Sequence, residues 1–432
     1  MKRHGILAAG MVGLMAVLLL LLGACGQKTA SASAKPSSDK GEVDVIHYFS
    51  DTLGKTTITK IFDAFTAKTG IKVVDNTTGH EDFKTQILVM LAADNPPDAF
   101  SYWAGARVQF VVDSGQLAPI DDLYKTDNLD SLLPAAIAAG TVYNGHKYLI
   151  PFGYHYVGLF YNPKTMQKLG ISEPPKTWND FLALCDKIKA AGVTPIAVGS
   201  KNQWPAQFWF DYLLLRTAGP EYRAKLMAGQ AKYTDPEVVK VMKMWKELAD
   251  KGYFVPDANA YDWTDAADQV ANGKAAFTLM GTWITGYWNG NKLQAGTDYD
   301  FFPFPQIDAG VPNVALGPID GWVMSKNAKH KDNALKLLSF LLGKDAQAPW
   351  AVGQGALAPN KTVDPSIYNV VMKKASGDVG SADAFNFNYD LATTPPMAEG
   401  GLNMFAQFMN DPSKYMDYLA ATDKVEQTVF KK

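Results

Sequence analysis

Four tryptophans in this sequence stand close to side chains that form paired hydrogen bonds or, in one case, close to a glycine. The four clusters are Trp103 with Arg107, Trp204 with Asn202 and Gln203, Trp283 with Gly281, and Trp322 with Asp320. An indole offers a flat apolar face for stacking, and the neighbouring groups offer planar donors and acceptors. These clusters predict a site that stacks on a flat ligand and hydrogen-bonds its edge.

The elements that position the first of these clusters alternate between strand and helix. We predict strands at Val43–Phe49, Ile71–Val74 and Ala99–Tyr102, with helices at Ile58–Thr69 and Phe83–Ala93 between them. This order is typical of a parallel sheet wrapped by helices, which binds ligands beyond the carboxyl ends of its strands. The rule selects Asp51 and Trp103, although Asp51 could equally cap the following helix.

A hinge is the predicted role of the segment around Gly153-Tyr154-His155. It separates two short apolar runs, Tyr148–Phe152 and Tyr156–Tyr161, which favour strands by composition and alternation. A chain that leaves one strand and enters another in this way can pass between two lobes with a cleft beside it. Tyr154 and His155 are therefore candidate ligand contacts, or alternatively buried side chains with satisfied partners.

The second half of the chain repeats the alternation, with a strand at Ala275–Met280 that ends at Gly281-Thr282-Trp283 and another at Ile319–Met324. Asp320 is a candidate because the adjacent Gly321 allows close approach of a ligand. Trp204 and Trp322 could bind ligand or cover a lobe's core. Three further tryptophans at helical spacing among apolar residues are assigned to packing: Trp178, Trp209 and Trp245.

The amino-terminal residues have the pattern of a secretory leader. A basic start is followed by an apolar run from Ile6 to Leu22 and by small residues before Cys25. The run is too short for a spanning helix. Leu22-Gly23-Ala24-Cys25 resembles the lipobox of bacterial lipoproteins, in which Cys25 would carry the lipid, and residues 26–41 are typical of a flexible tether.

Composition argues against several classes of protein. The chain has 41 basic and 43 acidic residues without a basic stripe, which argues against nucleic acid as a partner. With Cys25 lipidated, Cys185 would have no cysteine partner, and its helical, apolar surroundings favour burial. We find no serine-hydrolase elbow, zinc-protease motif or phosphate loop, so we expect no enzyme, no cofactor and no metal.

The stretch from Gly158 to Gly199 resembles the extracellular solute-binding proteins of family 1, the carbohydrate receptors of ABC importers. The resemblance continues in NPPDAFSYWAGAR, ANGKAAFTLMGTW and DGWVMSKNAKHKDNALKLLSFLLG, and so covers nearly the whole chain after Cys25. In the family's maltose receptor the run after the first of these strands reads Trp-Ala-His-Asp-Arg. Trp103 and Arg107 match it, Ala106 replaces the aspartate, and His155 falls at or near a second lost carboxylate. Trp283 corresponds to a stacking residue.

The resemblance implies a fold and a set of partners. The fold is a two-lobe α/β receptor with a doubly wound sheet in each lobe and several hinge crossings. We expect residues 1–24 as leader, 25–42 as tether, 43–152 plus 316–360 as the first lobe, and 153–315 plus 361–432 as the second. The partners would be a carbohydrate and the ABC permease subunits, with a lipid-anchored monomer at the outer face of the cell membrane.

The ligand contacts expected from these arguments come from both lobes. They are Asp51, Trp103, Arg107, Tyr154, His155, Trp204, Trp283, Asp320 and Trp322. Two alternatives remain open. A secreted glycoside hydrolase would also be rich in aromatic residues and would need a carboxylate pair, and a lipid-anchored adhesin would present a fixed carbohydrate site.

Overall fold

The computed structural model describes residues 41–93 and 95–431. The predicted leader, Cys25 and almost all of the tether lie outside these residues. Within them, no helix combines the length and the apolar character that crossing a membrane would require.

The strands of the described residues are mostly short, and many are buried along their whole length. In chain order they are β1 Glu42–His47, β2 Lys72–Thr77, β3 Ala99–Trp103, β4 Val142–Tyr143, β5 His146–Lys147, β6 Leu149–Tyr154, β7 Val157–Tyr161, β8 Thr194–Ala197, β9 Ala275–Gly281, β10 Asp300–Phe302, β11 Val314–Leu316, β12 Ile319–Met324 and β13 Ala384–Asn386.

The helices lie between these strands and after the last of them. They are α1 Thr52–Thr69, α2 His80–Ala92, α3 Ala106–Asp113, α4 Asp121–Thr126, α5 Ala135–Ala139, α6 Pro163–Lys168, α7 Trp178–Ala190, α8 Gln207–Thr217, α9 Gly219–Met227, α10 Pro236–Asp250, α11 Trp263–Ala271, α12 Trp283–Gly290, α13 Lys331–Leu342, α14 Lys344–Gln354, α15 Val370–Ser381, α16 Tyr389–Ala392, α17 Pro395–Asn410 and α18 Tyr415–Val429.

The first lobe is built on a five-stranded sheet with the order β2-β1-β3-β12-β6. β1 pairs in parallel with β2 and β3, as the alternating pattern predicts. β12 runs antiparallel to both β3 and β6. Strand β12 begins at the edge where the other four strands end, and it therefore runs opposite to them. The sheet is therefore mixed, and its carboxyl edge also holds the start of β12.

The second lobe is built on a four-stranded sheet with the order β10-β7-β9-β8. β8 and β9 are parallel, and β7 runs antiparallel to β9 and β10. Helix α8 lies in this lobe's core, where every residue from Gln207 to Arg216 is buried. Cys185 also packs in that core, and burial raises the pKa of its thiol, so the predicted structural role is confirmed.

The chain passes between the two sheets several times, and the passages lie side by side. The β6–β7 passage is the predicted hinge segment. There the Tyr154 amide donates to the Leu357 carbonyl at 3.0 Å and the His155 amide donates to the Pro318 carbonyl at 3.0 Å. A Cβ on Gly317 would lie 1.8 Å from the His155 carbonyl oxygen, so this close packing of two passages requires glycine. The predicted lobe boundaries remain a prediction.

Candidate functional site

A cavity of about 950 Å³ lies where the carboxyl edges of the two sheets face each other. Parallel strands place their carboxyl ends, and the loops that follow them, on a common edge, so both lobes contribute the loops after their strands. Seven of the nine predicted contacts line this cavity. They are Asp51, Trp103, Arg107, His155, Trp204, Trp283 and Asp320.

Trp322 does not line the cavity. It is fully buried in the first lobe's core, with its ring against Phe49, Phe62 and Phe152. It lies on the same strand as Asp320 but two residues further along, which places it about 7 Å deeper in the sheet. Of the two roles considered, the structure assigns it packing.

Tyr154 is also absent from the cavity wall. Its ring meets Phe385 edge to face, with centroids 6.1 Å apart. Tyr154 and His155 are consecutive residues of an extended segment, and neighbouring side chains in such a segment point to opposite sides. His155 faces the cavity, and Tyr154 therefore faces away from it.

The first lobe's wall of the cavity is an assembled aromatic and polar surface. Tyr48 stacks on Trp103 with ring centroids 4.2 Å apart, and its hydroxyl donates to Asp320 Oδ1 at 2.7 Å. Burial and the Asp320 carboxylate raise the pKa of Tyr48 well above its usual range. The Arg107 guanidinium lies 5.4 Å from the centre of the Trp103 ring. Trp103 and Asp320 are directly paired across β3 and β12, which places both at the edge of the sheet.

His155 connects the two lobes at the base of the cavity. Its Nε2 lies 3.2 Å from Asp320 Oδ2, and its Nδ1 lies 3.0 Å from Thr282 Oγ1. The carboxylate can only accept, so Nε2 carries a proton in this contact. The Trp283 ring meets the imidazole edge to face at 5.3 Å. The predicted hinge histidine is thus held by Asp320 on β12 of the first sheet and by Thr282, which directly follows β9 of the second sheet.

Asp51 combines the two roles that the sequence left open. Its Oδ1 accepts from the Gly54 amide at 2.8 Å and so caps helix α1, which begins at Thr52, earlier than the apolar pattern predicts. The same oxygen lies 3.3 Å from Gln354 Nε2. The residue also lines the cavity. A carboxylate held in this way can meet a ligand without losing its place at the helix terminus.

The second lobe's wall contains tryptophan rings that are only partly buried. Trp204 and Trp283 meet at 5.9 Å between centroids, and Phe208 packs 6.1 Å from Trp283. Trp283 opens helix α12 directly after strand β9, and its ring folds back over Gly281. A Cβ on Gly281 would lie 1.9 Å from that ring. The glycine therefore allows the ring to lie over the end of its own strand.

Several side chains that line the cavity were not predicted. The additional polar ones include His80, Glu81, Gln207, Asp262, Asn388 and Asp390, and the additional aromatic ones include Tyr48, Trp263 and Tyr287. His80 opens the helix after β2, so the strand-end rule that selected Asp51 could have found it. Asn388 and Asp390 lie far along the chain in a segment with no such signal.

Charge on the first lobe's rim is organised around Glu81. His80 Nδ1 lies 2.8 Å from one carboxylate oxygen of Glu81, and Lys84 Nζ lies 2.8 Å from the other. Partial burial would raise the pKa of Glu81, but the hydrogen bonds and charges of these two partners lower it to about 2. Among the described residues, no group of three or more His, Cys, Asp or Glu side chains is arranged to hold a metal ion.

Comparison with known proteins places this fold and cavity in a family. Residues 50–348 match the profile of the bacterial extracellular solute-binding proteins. A relative from Pyrococcus horikoshii, an uncharacterized ABC transporter extracellular-binding protein, is 29% identical over 390 residues, which are 89% of this chain and 86% of the relative. A probable sugar-binding periplasmic protein of Mesorhizobium japonicum is 29% identical over 82% of this chain and 84% of its own length.

Solved structures agree with the sequence relatives. The bacterial solute receptor AcbH, described as having an exclusive preference for β-D-galactopyranose, superposes with a TM-score of 0.84 at 29% identity, covering 90% of this chain and 99% of its own. A chitin oligosaccharide binding protein superposes with a TM-score of 0.81 at 23% identity, covering 90% of this chain and 99% of its own. This similarity concerns the fold alone. The chain belongs to the bacterial extracellular solute-binding protein family, and the resemblance seen in the sequence is confirmed.

Proposed function

We propose that this family member is the sugar receptor of an ABC importer. The observation that supports the proposal is that tryptophan rings from both lobes face one cavity, with hydrogen-bonding side chains beside them. Sugars present apolar ring faces and a fringe of hydroxyls, and this combination of surfaces is suited to both. The sugar specificity attributed to AcbH and to the Mesorhizobium relative supports the same class of ligand.

The ligand is inferred to be a short oligosaccharide. The cavity volume of about 950 Å³ is near the upper end of the range for small-molecule sites, which run from about 300 to 1,000 Å³. The second lobe alone contributes Trp204, Trp263, Trp283 and Tyr287, so more than one ring of a ligand could find an aromatic surface.

The mechanism we propose is lobe closure. The sugar binds the assembled wall of the first lobe, and closure then brings the second lobe's rings onto it. The hinge would be the bundle of passages that includes His155 and Gly317. Sugar shifts the population toward the closed form only if that form binds it more tightly. The closed form is then presented to the permease subunits, with the receptor held at the outer face of the membrane by lipid on Cys25.

The experiment that tests this function is a titration of residues 41–432, which contain both sheets, with D-galactose, maltose, raffinose and N,N′-diacetylchitobiose. Tryptophan fluorescence and the thermal unfolding temperature are the readouts. A saturable response to at least one sugar is expected, together with a smaller radius of gyration in solution scattering.

Three results would contradict the proposed sugar receptor. Release of reducing ends from maltose or diacetylchitobiose on prolonged incubation would indicate a hydrolase. Saturable binding with an unchanged radius of gyration would favour a fixed adhesin site. A silent titration with all four sugars would remove carbohydrate as the ligand class.

A further inference from the structure

The segment Phe387–Leu391, here called the strap, is fixed to the second lobe by buried hydrogen bonds. Arg223 Nη2 donates to the Phe387 carbonyl at 2.8 Å, and the Tyr389 amide donates to Asp211 Oδ2 at 2.8 Å. Arg223 and Asp211 also pair with each other, through contacts of 2.6 and 2.9 Å to Asp211 Oδ1. A buried, doubly hydrogen-bonded ion pair holds its partners in one geometry. These bonds tie the strap to the second lobe, while Leu391 at its far end packs into the first lobe's core, so the strap contacts both lobes.

Asp390 is the centre of a polar group that the strap brings to the cavity. Its backbone amide donates to Gln207 Oε1 at 2.9 Å, and its Oδ1 accepts from Asn388 Nδ2 at 2.6 Å. Its Oδ2 lies 3.5 Å from Nη2 of Arg107, which comes from helix α3 of the first lobe. All four side chains line the same cavity. The group spans the two lobes, and its contact with Arg107 is longer than a good charge-assisted hydrogen bond.

Three polar atoms of this group have no hydrogen-bond partner. They are Arg107 Nε, Gln207 Nε2 and Asn388 Oδ1, and each is buried. Gln207 is 0% exposed and Asn388 is 6% exposed. Buried polar groups in proteins are nearly always paired, so three unpaired atoms around one carboxylate need an explanation. Two of the atoms donate and one accepts.

We propose that the strap, Gln207 and Arg107 form a subsite that binds two neighbouring hydroxyl groups of a neutral sugar ring. The inference rests on the proposed function and names the chemistry that one end of the cleft recognises. A hydroxyl both donates and accepts, so two of them can accept from Arg107 and Gln207 while one donates to Asn388.

Charged ligand groups fit the subsite less well. A carboxylate or phosphate could accept from Arg107 and Gln207, but it would face Asp390 and would leave Asn388 Oδ1 without a donor. An ammonium group would pair with Asp390 and leave both unpaired donors without an acceptor. The pattern of donors and acceptors therefore selects uncharged, hydroxyl-bearing rings over uronic acids and amino sugars.

The same unpaired atoms connect the subsite to closure. They come from both lobes, so the arrangement seen here buries them together without partners. Burying a polar group without a partner is unfavourable, and a ligand that supplies the partners favours the arrangement that buries them. Binding of the two hydroxyls is therefore expected to stabilise the approach of helix α3 to the strap.

The experiment measures calorimetric affinities of residues 41–432 for D-galactose, maltose, raffinose, N,N′-diacetylchitobiose and D-galacturonate. The variants are Asn388→Ala and Gln207→Met, and the matched control is Asn259→Ala. Asn259 also has a buried, unpaired Oδ1 but does not line the cavity. For each neutral sugar that the unmodified chain binds, we expect each subsite variant to weaken binding about 10-fold or more, and the control to change it less than 2-fold.

Folding of the variants is checked by circular dichroism and thermal unfolding. If Gln207→Met fails to fold, Asn388→Ala and Asp390→Asn carry the test. Asp390→Asn keeps the side-chain shape and removes the charge, so galacturonate should gain affinity relative to galactose.

The outcomes separate the subsite from the general function. Full affinity for a neutral sugar in both folded subsite variants would overturn the subsite and leave the sugar receptor standing. Galacturonate binding more tightly than every neutral sugar would overturn the choice of neutral rings. Failure of the unmodified chain to bind any of the four neutral sugars would overturn the proposed function and the subsite together.

Discussion

The two walls of the cavity are built on different principles. In the first lobe, Tyr48, Trp103 and Asp320 are buried and already paired with one another. In the second lobe, Trp204 and Trp283 are only partly buried and meet their neighbours mainly edge to face or at an angle. The first wall is part of its lobe's architecture, whereas the second leaves ring surface available. Removing an aromatic ring should therefore lower mainly the stability of the protein in the first wall and mainly the sugar affinity in the second.

The largest effect is expected for Trp103→Ala in the first lobe. Trp103 is 6% exposed and stacks on Tyr48, so truncation removes buried contacts and leaves a void. We expect the free energy of unfolding to fall by about 3 kcal/mol or more. Chemical denaturation measures this change. A loss below about 1 kcal/mol would show that the first wall is not structural.

Trp283→Ala tests the opposite character of the second wall. Because its ring is partly exposed and faces the cavity, we expect sugar affinity to fall about 100-fold, equivalent to about 2.7 kcal/mol. The unfolding free energy should change less than in Trp103→Ala. Titration calorimetry with the sugar panel gives the affinity, and the core variant Trp245→Phe is the control that should retain it. An affinity within 3-fold of the unmodified chain would contradict this assignment.

A smaller effect is expected when only the polar link in the first wall is cut. Tyr48→Phe leaves Asp320 without the hydroxyl donor at 2.7 Å, and a hydrogen bond to a carboxylate contributes about 2 kcal/mol. Tyr124→Phe is the matched control in the same lobe, because its hydroxyl donates to the neutral Leu149 carbonyl at 2.7 Å and should cost about 1 kcal/mol. Denaturant midpoints compare the two. Equal losses of stability in Tyr48→Phe and Tyr124→Phe would show that the Asp320 charge does not strengthen the hydrogen bond from Tyr48.

The smallest effect concerns the rim of the first lobe and depends on pH. The pKa of Glu81 falls from about 4.5 to about 2 on folding, so the unfolded chain binds more protons between these values. The stabilisation is therefore present above about pH 4.5 and is lost as the pH falls toward 2. Glu81→Gln should flatten the decline of stability between pH 5 and pH 3, and exposed Glu221→Gln in the second lobe should not. If stability declines in parallel in the unmodified chain and in both variants, the lowered pKa of Glu81 is contradicted.

Much of the fold could be predicted from the sequence because it follows from local pattern. The bounds of β12 match the predicted Ile319–Met324, and the remaining predicted strands and helices mostly shift by a few residues at their ends. Helix α1 is the larger exception, because its first turn is fixed by the Asp51 cap and carries little apolar periodicity. Helices α12 and α14 were not predicted, since their glycines and the internal Pro349 weaken the helical pattern.

The candidate site was predictable only in part, because only some of its residues are marked by local pattern. Strand ends and glycines are visible in one dimension, and they led to Trp103, Trp283 and Asp320. The sequence could not show that Trp322 lies two residue pairs deeper in the sheet than Asp320. It also could not show that Tyr154 faces away from the cavity that His155 lines. The first depends on how far along the strand the cavity reaches, and the second depends on which face of an extended segment a lobe covers.

What the sequence determined by itself is the family, the alternation of strands and helices, and a short set of aromatic and polar candidates near strand ends. The tertiary structure alone decided that Arg107, Gln207 and Asp390 meet, although 100 and 183 positions separate successive members of the group along the chain. The local sequence pattern reflects only the secondary structure and burial of residues that are close together in the chain. Contacts across a cleft are set by the packing of two separate cores, and no periodicity in the chain records them.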